Sequence, residues 1–223
     1  MMGTKLTKHD CTTKLSWQRR KESRPNEIIE AAFVLFAEKG FTTTTMDEIA
    51  HKAGISKGSI YNYFNSKEAI FEAVVTNDIV PILDQIRDAV AKNHQDTSAQ
   101  FLNCLIQGLI TFSQESHLEM IPKLIVSESG NFPDLAKDYI EKIFKPLRGI
   151  IETVIQKGVD NKEFINCDPR TTAHLLLAPI LLEQIWKYSL KPIDNNNDSE
   201  LFIDNYMEIF LNGITRDTNC VYK

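Results

Sequence analysis

Residues 40–68 read GFTTTTMDEIAHKAGISKGSIYNYFNSKE, and the helix junctions inside this stretch decide the fold. Thr45-Met46-Asp47-Glu48 spells a capping box: a threonine caps, and a glutamate three residues on reaches back to it. Ile49 and Ala50 then face inward, and Ala53-Gly54-Ile55 supplies a turn. Ser56 suits the cap of the next helix, whose inward face is Ile60 and Phe64. Asn65-Ser66-Lys67-Glu68 offers a further cap with an acid in its first turn. Two short helices across a glycine turn, the second loaded with Lys, Ser, Tyr and Asn, form the arrangement by which a helix-turn-helix presents a recognition helix to a DNA major groove.

Outward from this stretch the pattern stays helical. A first helix should begin near Pro25, carry Ile28, Ile29, Ala32, Phe33, Leu35 and Phe36 on its apolar side, and stop at Gly40. After Glu68, Ile70, Phe71, Val74 and Val75 lead into Ile79, Ile82, Leu83, Ile86 and Val90, with Pro81 expected to kink or start a helix. Further helical patterns cover about 98–114, 117–129, 133–159, 168–190 and 199–213, separated by loops at 131–134 and 191–198. No sustained two-residue alternation marks a sheet. The expected fold is all-α. A flexible basic arm spans 1–23, a three-helix helix-turn-helix DNA-binding domain 24–70, and a helical ligand-binding and dimerisation domain 71–223. The arm, with Lys5, Lys8, Lys14, Arg19, Arg20 and Lys21, reads either as a disordered terminus or as a segment touching phosphates.

Charge divides unevenly along the 223 residues. Residues 1–70 carry 11 Lys/Arg against 8 Asp/Glu, and the remainder 14 against 22. A mildly basic head on an acidic body suits a polyanion bound at one end only, although solvated surface alone would give the same balance. Cys11, Cys104, Cys167 and Cys220 form no CxxC pair and no zinc-finger spacing, so they read as reduced thiols, with Cys104 in an apolar run. No segment approaches the ~20 apolar residues of a membrane span, and none has the pattern of a signal peptide. A cytoplasmic protein with no cofactor, no metal and no membrane partner is expected. Gly54-Ile55-Ser56-Lys57-Gly58 formally matches the nucleophile elbow of hydrolases, but that motif needs a strand before the serine, and here a helix precedes it. No catalytic residue is assigned.

Lys57, Ser59, Tyr61, Asn62 and Tyr63 fall at the start and outer face of the third helix, and Gly58 lets the backbone approach a duplex closely. Lys57 can donate to guanine and Asn62 can pair with adenine, while the tyrosines can meet thymine methyls or phosphate. Tyr61 could instead belong to the core. Thr44, Thr45, Ser56 and Lys67 complete the expected DNA-contacting set, as phosphate ligands near helix starts. Thr45 could serve purely as a cap. Asp47 would repel phosphate, so it should stabilise a helix N-terminus or accept from cytosine N4.

The combination Phe36-Ala37-Glu38-Lys39-Gly40-Phe41, Thr44-Thr45, Ile49-Ala50, Ala53-Gly54, Ile55 to Phe64 and Lys67-Glu68 resembles the tetracycline-repressor (TetR) family of bacterial transcription regulators. Asp47 departs from a basic residue common there. Glu128, Phe132-Pro133-Asp134-Leu135 and the turn from Gly158 to Phe164 look somewhat like the AcrR/AefR-like branch. The resemblance implies a homodimer on double-stranded operator DNA, and repression relieved by a small hydrophobic or amphipathic effector in the second domain. A ligand-independent regulator or an activator remains the alternative. Effector-site candidates are Phe101, Leu105, Phe112, His117, Met120, Glu128, Phe144, His174, Glu183 and Trp186, with His174 and Glu183 the polar residues of an otherwise apolar helix. The resemblance also implies a dimer interface on the terminal helices, through Leu176, Ile180, Glu183, Phe202, Tyr206, Ile209 and Phe210, and Leu175 to Leu177 is apolar on more sides than one core face needs; an internal core pair is the alternative.

Overall fold

The computed structural model describes residues 24–74, 79–92, 96–115, 118–190 and 199–216. The basic arm at 1–23 and the candidate His117 lie outside the described residues. In chain order the helices are α1 (Arg24–Lys39), α2 (Met46–Lys52), α3 (Lys57–Ile60), α4 (Lys67–Val74), α5 (Val80–Lys92), α6 (Ser98–Glu115), α7 (Ile121–Glu128), α8 (Pro133–Tyr139), α9 (Lys145–Asp160), α10 (Pro169–Ser189) and α11 (Ser199–Ile214). A single antiparallel bridge, Phe164 with Thr215, is the extended pairing among the described residues. The chain is all-α, as its periodicity implies.

Two apolar cores organise these helices. The first joins Ile28, Phe33 and Phe36 of α1, Phe41, Ile49, Ile60 and Phe71 to Ile121, Leu124 and Ile125 of α7 and to Leu135 of α8. The three-helix head therefore shares its core with α7 and α8. Phe41 marks the junction: its ring lies 4.7 Å from Phe36 and 5.0 Å, edge-on, from Phe132. The second core is built from α5, α6, α9, α10 and α11 through Leu83, Ile86, Leu102, Ile106, Ile151, Ile155, Leu176 and Met207.

Prolines shape two of the longer helices. The pattern over 133–159 suggests one helix, but a wide turn at Ile140–Phe144 interrupts it, and the Lys145 N–H donates five residues back to Ile140 O. Pro146 follows, and its missing N–H and bulky ring bar the usual bond to residue 142, so the chain takes the wider turn. In α10, Pro179 likewise leaves the Leu175 carbonyl without its helical donor. The Tyr206 hydroxyl of α11 donates to that carbonyl at 2.7 Å and to Leu176 O at 3.2 Å. A helix defect on one strand of the terminal pair is thus satisfied by the other.

The segment after α9 clasps the chain end. Ile165 N–H donates to Ile214 O, and Arg216 N–H to Glu163 O, each at 2.8 Å. Phe164 is fully buried between them, directly over Gly158, where a Cβ would sit 2.2 Å from the ring. Cys167 is a free thiol, and Cys11 and Cys220 lie outside the described residues.

Candidate nucleic-acid interface

The capping box forms as its residues dictate. Thr45 N–H donates to Glu48 Oε2 at 2.9 Å, and Glu48 N–H donates to Thr45 Oγ1 at 3.4 Å. Lys39 at the end of α1 pairs with the same carboxylate. The Lys39 ammonium, then the Thr45 hydroxyl and N–H, pull the Glu48 carboxyl down to about 2. Gly54 at φ 66° makes the turn into α3, and its backbone conformation is one that side chains disfavour. Ser56 caps α3 by accepting from Ser59 N–H at 3.2 Å, and its hydroxyl also meets Ser59 Oγ at 2.7 Å. Helix α2 and a glycine turn, not a strand, lead into Ser56.

Helix α3 is shorter than its sequence pattern suggests, ending at Ile60 and continuing as tight turns, with Tyr63 N–H and Phe64 N–H both donating to Ile60 O at 3.0 Å. Ile60 is fully buried, which turns Tyr61, Asn62 and Tyr63 outward. Tyr61 and Tyr63 are each 45% exposed, so Tyr61 is surface and not core. Lys57 and Gly58 are exposed beside them, and a Cβ at Gly58 would meet nothing within 4 Å. Lys57, Gly58, Tyr61, Asn62 and Tyr63 therefore share an open face, with Ser59 half-buried at its edge.

Asp47 lies on the same side. Its Oδ2 accepts from Lys57 Nζ at 2.6 Å, and this bond is the main cause of a raised Lys57 pKa. The carboxylate that would repel phosphate is thus neutralised by the residue expected to read a base, across the α2–α3 junction. Thr45 caps α2 with Glu48 reaching back to it, and Asp47 sits in the first turn.

Two expected phosphate ligands do something else. Thr44 is 2% exposed and its hydroxyl donates to Gly40 O at 2.7 Å, so it is a turn residue inside the head. The Lys67 ammonium donates to the carbonyls of Phe41, Thr42 and Thr44 at 2.6, 3.0 and 3.3 Å. It also sits 4.6 Å from the Phe41 ring centre. Its three protons are consumed within the protein, which removes it from the expected phosphate-binding set.

The second domain redistributes the effector candidates. Phe101 and Phe144 lie against the second core and Leu105 is within it, while Met120 is buried in the first core beside the head. Phe112 is half-buried on α6. His174 is exposed, its ring edge-on to Phe144 at 6.2 Å, so it does not point into an apolar interior as expected. Glu183 is buried, and three residues on, the Trp186 indole Nε1 is buried with no hydrogen-bond partner among the described residues. Glu128 is buried against the head and not in the second core. No group of three or more His, Cys, Asp or Glu is placed to hold a metal ion among the described residues. Nor is any described helix long and apolar enough to cross a membrane.

The terminal pair also departs from expectation. Leu176 and Ile180 are buried in the protomer's own core, Glu183 is buried, Phe210 is half-buried, and the Tyr206 hydroxyl is spent on α10. Burial pushes the Tyr206 phenol up to about 12. The outward apolar residues are Leu175 and Leu182 of α10 with Leu201, Phe202 and Ile209 of α11, of which Ile209 is 72% exposed. Which of three consecutive leucines faces out is set by how α10 packs, chiefly on α9, and Leu175 is the one left outside.

Residues 28–74 match a family described as bacterial regulatory proteins, tetR family. The transcriptional repressor KstR2 of Mycobacterium tuberculosis is 32% identical over 146 residues, 64% of this chain and 70% of that protein. A TetR-family transcriptional regulator from Mesorhizobium loti, 26% identical, matches over 89% of this chain and 100% of its own with a TM-score of 0.62. The regulator FadR of Bacillus subtilis, solved in complex with stearoyl-CoA, has the same fold at 22% identity, a TM-score of 0.68, and coverage of 84% of this chain and 98% of its own.

Proposed function

This chain belongs to the TetR family of bacterial regulatory proteins, and we propose that it represses transcription as a homodimer that releases a near-palindromic operator when a small amphipathic effector enters its second domain. That it is a DNA-binding transcriptional regulator, and not an enzyme, follows from the family. The choice of repressor rests on its likeness to KstR2, and the amphipathic effector on its fold likeness to FadR.

The single observation that carries the reading is the open face of α3 and its following turns. Lys57, Tyr61, Asn62 and Tyr63 project from a capped junction with no apolar partner over them among the described residues. Lys57 would exchange Asp47 for a guanine edge, while Asn62 and the tyrosines would read or brace neighbouring positions. Thr45 and Ser56, both exposed caps, and the half-buried Ser59 would line the backbone contact. Residues 24–70 would form the reading unit and 71–223 the responding one, in the cytoplasm. Leu175, Leu182, Leu201, Phe202 and Ile209 would make the dimer contact, replacing Leu176, Ile180 and Glu183. Phe101, Leu105, Phe112, Phe144, Glu183 and Trp186 would surround the effector, with Trp186 Nε1 the donor awaiting an acceptor.

The test is enrichment of a random duplex library on the purified protein, followed by comparison with Lys57→Ala. Lys57→Ala should weaken the enriched duplex by about 1–3 kcal/mol and relax one position of its sequence. Equal weakening on enriched and random duplexes would reduce Lys57 to a phosphate contact.

A further inference from the structure

The turn between α1 and α2 is held from two sides by opposite charges. Gly40, at φ 87°, bends the chain out of α1, and Thr42 follows at the surface. Thr42 offers two donors to one body residue: its hydroxyl gives to Glu128 Oε2 at 2.6 Å and its N–H to Glu128 Oε1 at 3.3 Å. Glu128 ends α7, 86 residues away, and is 7% exposed. The Asn131 side-chain amide donates to its Oε2 as well, at 3.2 Å. Burial pushes its carboxyl up, but the Thr42 hydroxyl, the Asn131 amide and the Thr42 N–H outweigh that and hold it ionised.

From the head side, Lys67 grips the carbonyls of the same turn and lies over Phe41 and, at 5.5 Å, over Phe132 of the body. The turn's donors point to a buried anion of the body and its acceptors to a cation of the head. Loss of Lys67 would strand the carbonyls of the buried Phe41 and Thr44, whereas loss of Glu128 would release Thr42 and Asn131, both exposed, to water and so free the turn from the body. Thr45 begins α2 directly after this turn, so the α7–α8 corner dictates where the α2–α3 junction sits.

We propose that the Glu128–Thr42 latch fixes the angle of the reading head on the body and thereby sets the half-site spacing that the dimer accepts. This rests on the dimeric reading above. Glu128 and Thr42 are positioning residues: neither touches DNA, and their effect passes through the placement of α2 and α3. Removing the latch leaves the head attached through its shared apolar core but free to tilt. A tilting head meets several spacings with similar affinity and none as well as the latched head meets one.

The experiment uses the full chain and the duplex enriched by the wild type, with one or two base pairs inserted into or deleted from its centre. Each base pair moves a half-site by about 3.4 Å and rotates it by roughly a tenth of a turn. The wild type should lose on the order of tenfold per base pair of misfit, whereas Glu128→Ala should lose less than about threefold. Glu128→Ala should also bind the best spacing more weakly than the wild type. Thr42→Val, which removes only the hydroxyl, should give an intermediate profile if Glu128→Ala fails to fold. Asp84→Asn, at an exposed ion pair with Arg87, should leave the profile unchanged. A latch variant that remains helical and dimeric with the wild-type spacing profile overturns the proposal. A flat wild-type profile also overturns it: with a sedimenting dimer the latch alone fails, and with a sedimenting monomer the dimeric reading fails as well.

Discussion

Replacing Lys67 by methionine separates a structural lysine from a phosphate-binding one. Methionine keeps an unbranched stem over Phe41 and Phe132 and deletes only the ammonium. Three hydrogen bonds are lost, to Phe41 O, Thr42 O and Thr44 O. Hydrogen bonds to charged groups contribute roughly 1.5–3 kcal/mol each, but these three share one ammonium that was itself stripped of water. Thr42 is exposed, so its carbonyl recovers hydration, whereas Phe41 and Thr44 are buried. Counting two bonds at the low end gives a loss of about 3 kcal/mol, roughly a hundredfold in the folding equilibrium. Urea unfolding followed by circular dichroism measures this loss. Binding to a random duplex across a salt series, at a temperature where the variant stays folded, should give the wild-type slope. Unchanged stability together with a slope reduced by about 1 would return Lys67 to the phosphate contacts and refute the reasoning.

Other consequences follow from single contacts. Gly158→Ala places a methyl against the fully buried Phe164 ring, so ring or backbone must shift, and the expected cost is about 3 kcal/mol, read from the thermal or urea midpoint. The Glu48 carboxyl is depressed from 4.5 to about 2, so its stabilisation is complete above the unfolded value and fades as pH falls from about 5 towards 2. Glu48→Gln should flatten that part of the acid-unfolding profile; a variant with the wild-type profile would place the acid sensitivity elsewhere. Leu182→Glu combined with Ile209→Glu puts charge on the outward apolar stripe and should shift sedimentation from dimer to monomer, while Leu176→Glu should unfold the protomer instead.

What the sequence disclosed is what local chemistry decides. The Thr45–Glu48 box and the Ser56 cap act over three residues, and the helical faces of α1 and α6 repeat within a few turns, so each was legible from spacing alone. The phosphate-binding expectation for Lys67 fails because its acceptors lie 23 to 26 residues away in a turn whose carbonyls point at it only once α1 and α4 meet. The role of Glu128 depends on a partner 86 residues distant, for which no local pattern exists. The expected placements of His174 and Leu176 fail because α10 is apolar nearly all round, and its packing, chiefly against α9, chooses the buried face. The wide turn at 140–144 was hidden because Pro146 reads equally as a helix start.

The central claim is sequence-specific DNA binding by the α3 face. Its most direct test is a footprint of the purified full chain on the DNA upstream of its own gene, titrated with salt and with competitor duplex. A sequence-reading α3 face leaves a protected near-palindrome that survives excess random DNA, and Lys57→Ala needs roughly 5- to 150-fold more protein for the same protection. Protection that spreads along the duplex, vanishes with modest salt and ignores Lys57→Ala would contradict it.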